Sequence, residues 1–261
     1  MPCLCLHYIF MRTLSLRISG LFSNNNPFNN TNEMYTLIHH HSDFILVSKH
    51  PDVSFHKDDG EMGLTERIRR DLGLEKLYPV HRLDRMTSGL LLFATHRDAA
   101  RELARRFKDR TVHKIYLAIS DKSPKKKQGL IAGDMARSRR GSWMLTRTMN
   151  NPARTRFVST ALAPGLRLYG LRLETGKTHQ IRVAMKSIGA PILGDDRYHP
   201  REAGARPDRG YLHAFFLEFN LFEKQYRFSH APEHGRLFQG SAFFEALEAL
   251  RPKIESKTDS R

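Results

Sequence analysis

Cysteine is nearly absent from this 261-residue chain. Only Cys3 and Cys5 occur, one residue apart near the start, and that spacing supplies neither a disulfide framework nor a four-ligand zinc site. A reducing, cytoplasmic setting is the expectation. Long apolar runs are missing too. None approaches the roughly 20 residues that a membrane-spanning helix needs, so no membrane association is expected. Acids are scarce: 27 Asp and Glu stand against 43 Lys and Arg, a net charge of +16 with a pI near 10.1. A field of that sign draws polyanions, and nucleic acid is the favoured partner over an acidic membrane surface.

What is present suffices for a core. The composition is 40% hydrophobic, in a length that suits one sizeable domain plus tails. Residues 1–33 stand apart. Leu4 to Phe22 is apolar with Arg12, Arg17 and no acid, the pattern of a transit peptide. Ser23 to Asn32 is too rich in Asn to order itself. The preferred reading is a disordered tail or a translation start at Met34. The folded domain is then expected over 34–250, with a disordered polar tail over 251–261.

Within the domain, Tyr35–Ile38 and Phe44–Ser48 read as strands separated by a turn from His39 to Asp43. Consecutive residues on an extended chain point to alternate faces, so His39, His40 and His41 do not converge on one ion. Leu64, Ile68 and Leu72 mark a short amphipathic helix ending at Gly73. Asp98 is placed to cap a second helix, with Ala99, Leu103 and Phe107 on one face and Arg101, Arg105, Arg106 and Lys108 elsewhere. Val112–Ile119 alternates as a strand with Lys114, Tyr116 and Ala118 on one side. Residues 120–156 are the most basic part, with Arg137, Arg139, Arg140 and Arg147 around Trp143. Loops or ribbons of that kind suit phosphate contact and base stacking. A strand over Leu166–Leu173 leads to a turn at Gly176 and a helix capped by Thr178, whose buried side is Ile181, Ala184, Met185 and Ile188. A loop is expected over 200–209.

The most informative stretch is 79–95, where His81, Arg82, Asp84 and Arg85 sit in a polar turn followed at once by the apolar run Leu90–Ala94. The run has the length of a strand buried on both faces. Local chemistry leaves two roles for Asp84: a turn cap, or an acid held at the mouth of a rigid core element. The whole string, His81-Arg82-Leu83-Asp84-Arg85-Met86-Thr87-Ser88-Gly89, resembles the signature of the RluA-type pseudouridine synthase family. Lys114-Ile115-Tyr116-Leu117-Ala118 resembles its second motif. Thr175-Gly176-Lys177-Thr178-His179-Gln180-Ile181-Arg182 resembles its third, with Lys177 where arginine is usual. Asp43 to Pro51 resembles the family's opening strand only weakly, because His50 separates Lys49 from Pro51.

The resemblance implies an α+β fold: a single domain with a long mixed, mainly antiparallel sheet, flanking helices and a central cleft. It leaves no room for the family's optional N-terminal S4 module. It implies isomerisation of a uridine in RNA with no cofactor and no metal; ribosomal RNA is slightly favoured over transfer RNA as the target, and a monomer is the default expectation. Asp84 is carried over as the catalytic carboxylate. A carboxylate drawn into a pocket needs a cation to stay charged, and Arg182 is carried over in that part. Tyr116 would stack on the uracil and help take the C5 proton. Arg82 would fill the place vacated by a flipped base. Arg85, Lys177, His179 and Gln180 follow as RNA or substrate contacts. Two other readings compete. One is an RNA-binding protein without catalysis, against which Asp84 speaks. The other is a metal nuclease using His81, Asp84, His179, Asp195 and His213, five residues that lack compact metal-ligand spacing.

Overall fold

Alternation along the strands divides the interior into two cores. The computed structural model describes residues 34–55, 62–199 and 206–255. The expected tail or leader at 1–33, part of the 200–209 loop and the last residues, 256–261, lie outside the described residues. In chain order the elements are β1 (Tyr35–His40), β2 (Phe44–Lys49), α1 (Leu64–Asp71), β3 (Tyr78–Pro79), β4 (Ser88–Ala94), α2 (Arg97–Lys108), β5 (His113–Ser120) and β6 (Gln128–Gly133). There follow β7 (Met135–Arg137), β8 (Trp143–Leu145), β9 (Ala153–Ala163), β10 (Leu166–Leu173), α3 (Gln180–Ser187), β11 (Leu212–Leu221), β12 (Lys224–Ser229) and α4 (Ser241–Glu255).

Ten strands form one sheet in the order β1-β2-β4-β11-β5-β10-β9-β6, with β12 added to β11 and β3 to β4. Among the described residues every pairing in this sheet is antiparallel except β4 with β11. Both central strands at the signature are buried along their whole length. Ile45, Val47, Leu91 and Phe93 face the larger core beside Tyr116, Leu117 and Ile181. Phe44, Leu46, Leu90 and Leu92 face a smaller one with Leu103 of α2 and Phe219 of β11. The expected α+β domain with a mixed, mainly antiparallel sheet is what the chain forms.

Four local expectations are corrected. β1 runs on through His39 and His40, because His39 packs against Phe44 and Phe228. The cap of α2 is His96, whose Nδ1 accepts from Ala99 N at 3.3 Å while Nε2 donates to Asp43 at 3.1 Å; Asp98 lies in the first turn. Thr178 does not cap α3, which starts after a left-handed His179 (φ 57). Residues 251–255, expected in a tail, belong to α4, which continues to Glu255. Its buried Ile254 lies over Gly170 of β10, where a larger residue would collide with it.

Gly89 joins the signature to the sheet. Its φ is +104, and a Cβ there would stand 2.7 Å from Ala214 N, inside the parallel pairing of β4 with β11. Gly89→Ala is therefore expected to cost roughly 3 kcal/mol or more from strain and overpacking. A fall in Tm of several degrees, read by thermal scanning calorimetry, checks this, and an unchanged Tm contradicts the close approach.

Candidate active site

Asp84 sits in the turn between β3 and β4, its carbonyl accepting from Thr87 N at 3.0 Å. That turn is held from below by Lys49, a fully buried residue at the end of β2. Its Nζ donates to His50 O, Val53 O and Arg85 O, each at 2.9 Å. Burial pulls the Lys49 pKa down to about 7. Three carbonyls are a complete set of partners for an ammonium group, so Lys49 staples the signature turn to the sheet.

The Asp84 carboxylate faces Arg182, whose Nη1 donates to it at 3.2 Å. Arg182 is supplied by the first turn of α3, and its other two nitrogens are taken by Asp195. Nε donates to Oδ2 at 2.7 Å and Nη2 to Oδ1 at 2.8 Å, a two-pronged fork. Asp195 is itself fixed, because its Oδ1 accepts from the backbone N–H of Arg197 and Tyr198 at 3.0 and 3.1 Å. Side-chain exposure falls along this series from 22% at Asp84 to 10% at Arg182 and 0% at Asp195. Burial opposes the Arg182 charge, but the fork and the contact with Asp84 outweigh it and leave its pKa raised. The guanidinium also lies 5.0 Å from the centre of the Tyr198 ring. The outer carboxylate thus meets a cation whose position is set from inside.

Two cavities meet at Arg82, Asp84 and His179. The larger, about 1090 Å³, is walled by Arg85, Arg139, Arg140 and Arg197. The smaller, about 530 Å³, holds Tyr116, Lys114 and Lys177. Tyr116 is buried, and burial together with the Asp84 charge pushes its pKa up. A phenol held protonated is a poor base, so the ring and not a phenolate is what this residue offers to a ligand. Arg82 is exposed, and among the described residues its guanidinium has no hydrogen-bond partner. Arg85 donates through Nε to Asp52 O at 3.1 Å. Lys177 donates to Asn151 O. His179, held below its usual pKa range chiefly by burial, pairs through Nδ1 with the Tyr198 hydroxyl at 2.9 Å. That same hydroxyl accepts from Trp143 N at 2.9 Å, which ties the ribbon of β7 and β8 to the site.

Gln180 is corrected from an RNA contact to an internal strut. It is buried, with Oε1 accepting from Thr175 Oγ1 and Lys177 N at 2.7 and 3.0 Å. Its Nε2 donates to Arg154 O and Thr155 Oγ1 at 3.0 Å. No capacity is left for a ligand. Arg154 and Arg156, counted with the basic region, are both committed to Glu174. In the sequence both residues stand in a stretch, Pro191 to Tyr198, that follows the family's order, but Tyr198 carries no expected role and Asp195 one only in the competing metal reading, because no short-range pattern announces either residue's partner.

The nuclease reading does not survive this geometry. His81 Nε2 accepts from Leu92 N at 2.9 Å and its ring stacks on Phe107. His213 Nε2 donates to His230 O at 2.8 Å, so Nδ1 accepts from Ser88 Oγ at 2.8 Å, and Ser88 in turn accepts from Arg209. Burial lowers both histidines from 6.5 to about 3. The unfolded chain then binds more protons than the folded one between those values, so stability is complete above pH 6.5 and is lost as pH falls toward 3. The slope is up to ~1.4 kcal/mol per pH unit for each histidine. Urea midpoints measured at pH 7, 6 and 5 are expected to fall in that order, and a flat series contradicts neutral, buried rings.

Known proteins bear directly on this arrangement. The family model for RNA pseudouridylate synthase matches residues 43–187, which takes in Asp84, Tyr116 and Arg182. The chain belongs to the RNA pseudouridylate synthase family. As a pseudouridine synthase it is an isomerase that acts on RNA. It is 46% identical over 217 residues to an uncharacterized RNA pseudouridine synthase of Haemophilus influenzae, covering 83% of this chain and 96% of that one. It is 32% identical over 236 residues to the ribosomal large subunit pseudouridine synthase C of Vibrio vulnificus, covering 89% and 73%. In fold this synthase is similar to human RNA pseudouridylate synthase domain containing 1, with a TM-score of 0.67 at 24% identity over 88% of this chain and 98% of that one. Among its described residues no helix is long and apolar enough to cross a membrane.

Proposed function

We propose that the protein isomerises one uridine in structured RNA, ribosomal RNA before transfer RNA, by a cofactor-free reaction centred on Asp84. The observation that carries this is the series Asp84, Arg182 and Asp195, which places a carboxyl group against a fixed guanidinium at the junction of two basic-walled cavities. In the reaction the N1–C1′ bond breaks, the uracil turns, and C5 bonds to C1′. C5 gives up one proton and N1 takes one, so atoms balance and no co-reactant is needed. Asp84 acts on the nucleoside as nucleophile or as the group that promotes loss of the base and moves a proton. Arg182 aims it through the hydrogen bond from Nη1. The Tyr116 ring is the platform for the uracil, and Arg82 occupies the space the nucleotide leaves in its stack. The preference for ribosomal RNA is supported by the large-subunit relative. The protein acts in the cytoplasm as a monomer.

Arg139, Arg140 and Ser142 of the ribbon turn line the larger cavity, in reach of a backbone that enters it. Replacing Arg139 and Arg140 together by Ala is expected to lower the slope of log affinity against log salt by about 1 to 2, one unit per lost phosphate contact. Filter binding across a salt series measures this. An unchanged slope removes the ribbon from the interface.

The function itself is tested by incubating the purified protein, in chelator and without nucleotide, with total RNA from a strain lacking the gene. Pseudouridine is then mapped by carbodiimide-adduct primer extension. A new stop is expected, and its position names the substrate. RNA binding with no stop in ribosomal or transfer RNA would leave a non-catalytic binder of the same fold.

A further inference from the structure

Neither the histidine inserted between Lys49 and Pro51 nor the His-x-x-x-His spacing of His230 and His234 has a part in the isomerase site, and the second escaped the sequence reading. The fold brings them together. His50 directly follows β2, and His230 to His234 form the segment between β12 and a 3-10 turn at Arg236–Phe238. The donor atoms of His50, Glu233 and His234 lie within 4.8 Å of one another. The two imidazole rings are 4.3 Å apart at their centres. Thr36 of β1 donates to Glu233 Oε2 at 2.9 Å and lies 3.0 Å from His50 Nε2. Having given its one proton to Glu233, it holds the carboxylate and the ring toward the same point. His230 adds a separate observation: its Nε2 is buried with no hydrogen-bond partner, 3.4 Å from Glu233 Oε2.

We propose that His50, Glu233 and His234 bind a divalent transition metal, zinc before others, which clamps the segment after β12 to the start of the sheet. Two imidazoles and one carboxylate are a zinc donor set, with a fourth position for water or His230. Calcium and magnesium require mainly oxygen donors, which the cluster does not offer. A tetrahedral ion with bonds near 2.1 Å sets its donors roughly 3.4 Å apart. The cluster closes to that spacing by side-chain movements of no more than ~1.4 Å, and Glu233 is exposed and able to turn. Pro232 keeps the segment out of a helix, so this is not the helical arrangement of a zinc peptidase. None of the three ligands lines the cavities around Asp84. Among the described residues the ligands connect to the signature through backbone carbonyls: His234 O accepts from Arg209 Nη1 at 3.1 Å while Arg209 Nη2 donates to Ser88 Oγ at 2.8 Å, and His50 O and Arg85 O both accept from Lys49 Nζ at 2.9 Å. The site is structural and independent of the isomerase reading.

The test uses the full chain carrying Cys3→Ser and Cys5→Ser, stripped with chelator, then titrated with zinc in equilibrium dialysis and with cobalt by visible absorption. One equivalent is expected to bind with a low-micromolar or tighter Kd. Intense cobalt d–d bands of a four- or five-coordinate site are expected, and Tm should rise by about 5–10 °C at a hundredfold excess over Kd. His234→Gln and Glu233→Gln should each weaken binding at least tenfold while pseudouridine formation in chelator is unchanged. Absence of a saturable equivalent overturns the site, as does an equivalent that survives both His50→Gln and His234→Gln. The cobalt spectrum of the chain with its three ligands intact decides the matter even where a variant fails to fold.

Discussion

Asp84→Asn is expected to lower pseudouridine formation by at least about 10³-fold while leaving the fold and RNA binding in place. Asparagine keeps the shape of the side chain but offers neither a nucleophile nor a proton acceptor, and positioned groups of that kind supply roughly 10²–10⁴-fold in rate. The loss should fall on kcat. Arg182 retains its fork to Asp195 at 2.7 and 2.8 Å, so the guanidinium is not left alone by the change. Tm should therefore stay within about 2 °C. Removing one negative charge from a cavity walled by Arg85, Arg139, Arg140 and Arg197 should leave RNA affinity equal or slightly higher. The check is single-turnover primer extension on the mapped RNA, beside filter binding and a thermal scan of the same preparation. Activity within tenfold of the unsubstituted protein would remove Asp84 from the chemistry. A large loss of both binding and Tm would recast it as a structural residue.

How far the sequence could be read depended on the range of the interactions. Elements with a strong local period were legible: β4 from its unbroken apolar run, and the apolar face of α2 from Ala99 and Leu103. Ends set by tertiary packing were not. α4 continues past Leu250 because Ile254 finds the bare Gly170 on β10, a contact between residues far apart in the chain. His96 takes the cap of α2 because Asp43, immediately before the neighbouring strand β2, fixes its tautomer. At the site, Asp84, Tyr116 and Arg182 were nameable only by resemblance to a family, and the fold sets them around shared cavities. Gln180 shows the limit of that transfer. It matches the motif, yet the turn at Gly176 takes its amide oxygen and β9 takes both of its amide hydrogens. The pairing of His50 with His234 was out of reach for the same physical reason: the spacing of His230 and His234 is local, but the partner that completes the donor set comes from the other end of the domain.

Asp195→Ala carries the largest expected effect on stability, and it separates holding Arg182 from merely having it. In the native protein the Asp195 carboxylate takes two hydrogen bonds from Arg182 and two from backbone N–H groups, and none of it is exposed. Its removal leaves a guanidinium only 10% exposed with a single 3.2 Å contact to Asp84. Two backbone donors also lose their acceptor. Breaking one side of a buried pair costs roughly 3–5 kcal/mol, and in a chain of this size each kcal/mol is about 2–4 °C, so Tm should fall by about 6–20 °C. Activity should fall for a distinct reason. Freed from the fork, Arg182 can turn its paired nitrogens onto Asp84, which then gains a stronger partner and loses the open lone pairs that a nucleoside would meet. Measured well below the lowered Tm, kcat should drop at least tenfold with KM for RNA within about threefold. Asp195→Asn should behave much the same, because its amide presents donors to a group that itself only donates. If Tm falls but kcat holds, the inner carboxylate stabilises the fold without aiming Arg182. If neither moves, Arg182 owes its place to the Tyr198 ring 5.0 Å away and not to the charge beneath it.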